Sequence, residues 1–223
     1  MSVSIGLLGA DFSMVCGDDR STIPIPIKGV KWHDGVEKVF QTPFGFVAAS
    51  GGIIGVKEFF EKYLNMYVIK TRKDIWKLFC YAGRDCENYI ESKGFHSKHI
   101  CTTRFIYSLN YPQNRALSMD IYTLDYMFQT RRLKSKNTLI VNAPKDTKRI
   151  KLLKTKYFEQ AKNVKDMHEA VYLVACLIDE MARLTKLISN NVNCGITFKV
   201  SENEVVFLKV TENAKTIKKM YKK

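Results

Sequence analysis

Apolar residues alternate with polar or small ones over 2–8 (Ser-Val-Ser-Ile-Gly-Leu-Leu) and again over 12–18 (Phe-Ser-Met-Val-Cys-Gly-Asp), a period that predicts two strands. Gly9-Ala10-Asp11 between them is a turn signal, so the pair reads as a hairpin with a three-residue loop. A turn centred on Ala10 sets Leu8 opposite Phe12, Gly6 opposite Met14, Ser4 opposite Cys16 and Ser2 opposite Asp18, with facing Cβ atoms roughly 5 Å apart. A two-residue loop would slip the pairing by one and put Gly17 opposite Ser2. Downstream, Ile23-Pro24-Ile25-Pro26-Ile27 reads as extended, the stretch through Lys31, Trp32, His33, Asp34 and Gly35 as a loop, and 37–41 with 46–49 as a second hairpin around Pro43-Phe44-Gly45. After Ser50-Gly51-Gly52 the apolar spacing lengthens to that of a helix, with Val56, Phe59, Phe60, Tyr63 and Leu64 on one stripe. A second helix carries Ile75, Leu78, Phe79, Ala82, Cys86, Tyr89 and Ile90. Strands are predicted at 102–107, 116–122 and 138–142, helices at 147–160 and 166–185, and a closing hairpin at 193–200 and 204–210.

This order of strands and helices predicts an α+β fold in which hairpin sheets stack and each takes a helix pair on its outer face, a four-layer α-β-β-α sandwich. At 223 residues and 46% apolar content, the chain 1–223 reads as a single domain, ending in a basic C-terminal tail from about residue 212. It has no run of 18 apolar residues and no signal-peptide pattern, so a soluble, cytoplasmic protein without a membrane partner is expected. The six cysteines, Cys16, Cys80, Cys86, Cys101, Cys176 and Cys194, lack metal spacing and read as reduced core thiols. A net charge of +14 raises nucleic acid as a partner. The basic stretches, 131–156 and the tail with Lys215, Lys218, Lys219, Lys222 and Lys223, lack the interleaved aromatics of a single-strand platform, so nucleic acid is not the expected partner.

Ser2 and the strand-end Asp18-Asp19-Arg20 carry the candidate chemistry. Methionine ahead of a small residue is commonly trimmed, which would leave Ser2 with a hydroxyl and an α-amine of pKa about 8 on one residue, nucleophile and base together. The ordinary alternative for the strand end is a solvated turn or a salt bridge. His96, His99 and Cys101 have metal-like spacing without a fourth ligand, and Gly51-Gly52-Ile53-Ile54-Gly55 lacks the lysine of a phosphate loop. No cofactor or metal is expected.

The element order, with Cys16-Gly17-Asp18-Asp19-Arg20-Ser21-Thr22, Glu37-Lys38-Val39-Phe40-Gln41, Ala49-Ser50-Gly51-Gly52 and the helix around His168-Glu169-Ala170-Val171, resembles proteasome β-subunits and their bacterial relatives, which are N-terminal-nucleophile hydrolases. The resemblance spans nearly the whole chain. It implies Ser2 as nucleophile, Asp18 as the acid at the end of the second strand, the Gly51 N–H as oxyanion donor and Ser189 as support for the nucleophile. It further implies a peptide or protein substrate and self-association into a ring or stack.

Three positions depart from the family pattern. The family lysine falls on Glu37, with Lys38 expected on the opposite strand face; the second acid falls on Lys186; and a glycine- and serine-rich loop is replaced by Val141-Asn142-Ala143-Pro144-Lys145-Asp146. Glu37 and Lys186 have opposite signs to the residues they replace, so together they read as a charge swap around Ser2; alternatively, Lys186 is a solvated residue at a helix end. The expected activity is a proteasome-like amidohydrolase or peptidase, hydrolysing an amide or passing the acyl group to an amine. A non-catalytic proteasome-like binding or structural subunit is the alternative, and a basic nucleic-acid-associated protein a second.

Overall fold

The computed structural model describes residues 2–25, 29–50, 55–69, 71–94, 104–113, 116–124, 130–133, 136–143, 147–201 and 204–221. The predicted hairpin forms β1 (Ser4–Leu8) and β2 (Phe12–Gly17), with a register one residue from expectation. Leu8 faces Ser13, and Gly17 faces Ser4, not the Ser2 expected for a two-residue loop. The turn is the tighter Ala10-Asp11, closed by Gly9 N donating to Phe12 O at 2.8 Å. Hydrophobic pattern explains the shift. In this register Val3, Ile5 and Leu7 share a face with Phe12, Met14 and Cys16, and all six are buried in one cluster. Gly9 makes the turn possible, since a Cβ there would lie 2.2 Å from the Phe12 ring.

β3 (Ser21–Ile25) and β4 (Gly29–His33) form a two-stranded ribbon where an extended stretch and a loop were predicted. The second predicted hairpin is β5 (Val39–Thr42) and β6 (Gly45–Ser50). Helices α1 (Gly55–Met66) and α2 (Arg72–Ser92) follow, then β7 (Arg104–Gln113), β8 (Ala116–Leu124), β9 (Thr130–Leu133) and β10 (Thr138–Asn142). The chain continues through α3 (Lys148–Ala161), α4 (Met167–Leu184), β11 (Asn191–Ser201), β12 (Glu204–Asn213) and α5 (Ala214–Met220). Two antiparallel five-stranded sheets result, ordered β10-β1-β2-β11-β12 and β5-β6-β7-β8-β9.

The predicted α3 and α4 boundaries agree within a residue because both starts carry capping side chains. Thr147 accepts from Ile150 N at 3.3 Å, and Asp166 from Glu169 N at 2.8 Å. Apolar residues of α3 and α4, among them Ile150, Tyr157, Val174, Ile178 and Met181, pack on the Val3, Ile5, Met14 and Ile196 face of the first sheet. Residues of α1 and α2 pack on the second sheet, where Phe60 stacks on Phe79 at 4.3 Å and Phe79 meets Phe105 at 4.5 Å. In the α1 stripe Phe60 is fully buried and Tyr63 nearly so, whereas Tyr67, just past the helix, is 48% exposed. A third cluster joins Leu8 and Val15 of the first sheet to Phe46, Ala48 and Ile106 of the second. Gly195 on β11 makes room there, for a Cβ would sit 2.2 Å from the Phe46 ring.

One element is added and one expectation is corrected. The basic tail is helical from Ala214: Asn213 caps α5 by accepting from Lys215 N at 3.0 Å, and Ala214 and Ile217, three apart, are buried. Lys218 extends from α5 to Asp179 of α4 at 2.8 Å. The cysteines are not all free thiols. Cys16 and Cys194 face each other across β2 and β11, Cα atoms 4.1 Å apart, and are joined as a disulfide; Cys80, Cys86 and Cys176 are free. Among the described residues, no helix is long and apolar enough to cross a membrane.

Candidate active site

The first sheet's core strands end at a buried polar corner. Asp18, immediately after β2, has no exposed surface. Its Oδ1 accepts from Val3 N at 3.0 Å and Lys38 Nζ at 3.2 Å, and its Oδ2 from Arg20 N at 3.1 Å and Ser189 N at 3.2 Å. Lys38, 6% exposed, also donates to the Arg20 carbonyl. Burial pushes the Asp18 carboxyl up and the Lys38 ammonium down, each against the pull of the other's charge.

Lys38, not Glu37, is therefore the residue that reaches Asp18. Glu37 and Lys38 do turn to opposite sides, as neighbours on an extended segment must, but it is Lys38 that turns inward and Glu37 that turns to the surface. The Lys38 carbonyl accepts from Ala49 N at 2.9 Å, and the preceding Val36 N donates to Asp19 O at 3.0 Å; these bonds turn the segment inward. Glu37 lies at the surface, paired with Lys209 of β12. Lys186 is exposed, and its backbone carbonyl accepts from Arg20 Nη1 at 3.0 Å. The expected Glu37–Lys186 swap is thus replaced by a Lys38–Asp18 pair. Gly51 lies outside the described residues.

Ser189, in the turn after α4, is buried and donates its hydroxyl to Asp19 Oδ1. Asp19 Oδ2 accepts from Gly35 N at 3.0 Å and Asn191 Nδ2 at 2.9 Å. Arg20 locks the loops together with a two-pronged contact to Asp34, at 2.6 and 2.7 Å. That contact holds the Asp34 carboxyl below the usual carboxylate range. Asn191 was not singled out from sequence, and Asp19 and Arg20 entered only as members of the strand-end Asp18-Asp19-Arg20 group.

Ser2 is 6% exposed and precedes Val3, whose N–H contacts the same carboxylate oxygen that holds Lys38. Ser4, two residues on, meets Ser50 at the end of β6, hydroxyl to hydroxyl at 2.7 Å, and accepts from Asn142 Nδ2 at 3.4 Å. The structure therefore gathers Ser2, Asp18 and Ser189 at one corner and leaves Glu37 and the Lys186 side chain outside it. Among the described residues no His, Cys, Asp and Glu cluster is suited to a metal; His96, His99 and Cys101 lie outside them.

The chain matches no family model and no curated protein sequence. Solved structures do resemble it. A Gly-1 mutant of Anbu from Hyphomicrobium sp. strain MC1 superposes with a TM-score of 0.70 at 10% identity, over 99% of this chain and 93% of that one. Anbu from the same strain gives 0.65 at 11% identity, over 98% and 93%, and Anbu, described as an ancestral β-subunit, from Yersinia bercovieri gives 0.66 at 10%, over 99% and 92%. At such identities the likeness speaks for the fold alone, and over nearly its full length that fold is the proteasome-like fold of Anbu.

Proposed function

We propose that this chain is a proteasome-like N-terminal-nucleophile amidohydrolase or peptidase, built as a four-layer α-β-β-α sandwich, with Ser2 as nucleophile once Met1 is removed. The observation that carries the reading is the buried Lys38–Asp18 pair, one carboxylate oxygen away from the Val3 N–H. An ammonium held at this point favours the alkoxide form of a neighbouring hydroxyl.

The Ser2 hydroxyl attacks the amide carbon and passes its proton to the Ser2 α-amine as the O–C bond forms. The oxyanion is held by a backbone N–H, for which Gly51 is the expected donor. The C–N bond then breaks, the leaving amine takes the proton, and an ester remains on Ser2. Water, or an incoming amine, attacks the ester and frees Ser2, giving hydrolysis or ligation. The non-catalytic alternative draws its support from a missing lysine and a missing glycine- and serine-rich loop, and the Lys38–Asp18 contact answers the first of these. Self-association belongs to the same reading by analogy of fold.

The test is the intact mass of protein from its own host, before and after a peptide β-lactone, with Ser2→Ala as control. One Ser2-dependent adduct on a chain lacking Met1 is the expected result. A retained Met1, or no such adduct, refutes the reading.

A further inference from the structure

Two carboxylates and one ammonium are buried where β2 ends: Asp18 and Asp19 are 0% and 7% exposed, Lys38 6%. Asp18 holds Lys38. Asp19 accepts only from neutral groups, the Ser189 hydroxyl, Gly35 N and Asn191 Nδ2, and among the described residues no ammonium or guanidinium forms an ion pair with it. Adjacent Arg20 directs its guanidinium to Asp34 and to the Lys186 and Ile188 carbonyls. At this corner Asp18, Asp19 and Asp34 outnumber Lys38 and Arg20 by one charge. His33, Lys186 and the Glu37–Lys209 pair sit at its exposed rim.

Lys38 and Arg20 act on the Asp19 carboxylate through space, without a contact ion pair among the described residues, so its oxygens have room for a cation in direct contact, and the strand register points to one. Continued past the Ser4–Gly17 pair, the antiparallel pairing sets Ser2 opposite Asp19, at a Cβ separation of about 5 Å. The Val3 N to Asp18 contact follows the same register. We infer that Asp19 is the counter-ion of the Ser2 α-ammonium once Met1 has been removed, with Ser189 and Asn191 holding its carboxylate in place. The inference rests on the reading of Ser2 as an N-terminal nucleophile. In that reaction the α-amine becomes an ammonium as it takes the hydroxyl proton. Asp19 holds that ammonium until the proton passes to the leaving amine. The acid that serves the amine thus comes from the end of β2, and Lys186 is free to face solvent.

The experiment titrates the α-amine of mature Ser2→Ala, which keeps an amine and forms no ester, by competitive acylation of the folded and the urea-unfolded chain. The folded amine is expected to titrate at least about one pH unit above the unfolded one, and Asp19→Asn in the same background to abolish that difference. In the chain bearing Ser2, Asp19→Asn moves the acid limb of the β-lactone rate to lower pH by a similar amount, which a purely structural role would not do. A folded amine titrating at or below the unfolded value overturns the inference, and this comparison needs no change at Asp19 should that variant not fold. An amine unmoved by Asp19→Asn overturns it equally. A raised amine without a Ser2 adduct refutes the hydrolase reading and keeps the counter-ion; an adduct without a raised amine does the reverse.

Discussion

Replacing Lys38 with methionine keeps the length of the side chain and removes its charge from a carboxylate with no exposed surface. Breaking a buried ion pair by removing one partner typically costs about 3–5 kcal/mol. Asp18 keeps three backbone donors, at 3.0, 3.1 and 3.2 Å, so the expected loss at neutral pH is toward the lower end, about 3 kcal/mol. The loss depends on pH with a definite sign. Burial already pushes the Asp18 carboxyl up, and Lys38 is the largest opposing influence. Without it, folded Asp18 keeps its proton at pH values where the unfolded carboxyl, of pKa about 3.9, has released its own. The folded variant then binds more protons than the unfolded chain, so its stability falls as pH rises from about 4 through the raised value, and the deficit against wild type is largest above that value.

Urea denaturation at pH 7.5 and pH 5 measures this deficit, and Asp18→Asn/Lys38→Met recovers most of it by removing the stranded charge. The β-lactone rate falls by about 100-fold or more in the single variant. A deficit below about 1 kcal/mol, one equal at the two pH values, or a double variant no more stable than the single, would refute the ion-pair account.

Three other outcomes are expected. Glu37→Gln and Lys186→Ala each stay within about 0.5 kcal/mol of wild type in urea and keep the Ser2 adduct rate, because both side chains lie at the surface; a tenfold rate loss in either would return them to the site. Ile217→Ala costs about 2–4 kcal/mol by urea denaturation if α5 is part of the core, whereas a loss below about 0.5 kcal/mol would mark a detached tail. Peptide mapping after alkylation of the unreduced, denatured chain finds Cys16 and Cys194 unmodified until reductant is added; their modification without reductant would contradict the cross-strand pairing.

Strong periodicity and short-range chemistry made much of the chain legible. The helical stripes of α1 and α2, the spans of α3 and α4, and the strands of the first and last hairpins are local signals, each complete within a few residues of its own element. Ser189 entered as a candidate site residue through the family resemblance, Asp18 through its strand-end position as well, and the Ser189 N–H donates to Asp18 in the structure. α5 was masked by its lysines, which dominate composition while Ala214 and Ile217 alone carry the burial.

The sequence by itself determined the order of elements and the polar residues at the end of β2, because side-chain pattern and turn chemistry act locally. It also contained the hairpin register, since only a slide by one unites Val3, Ile5 and Leu7 with Phe12, Met14 and Cys16; counting turn residues hid it. Tertiary structure alone decided that Lys38 turns inward while Glu37 turns to Lys209: alternation sends the two neighbours to opposite sides, and Asp18 and Lys209, distant in sequence, decide which side is the interior. It likewise decided that Asp19, Ser189 and Asn191 meet. Their contacts span 170 and 172 residues of chain, a separation at which no local preference acts and only the pairing of β2 with β11 brings the groups together.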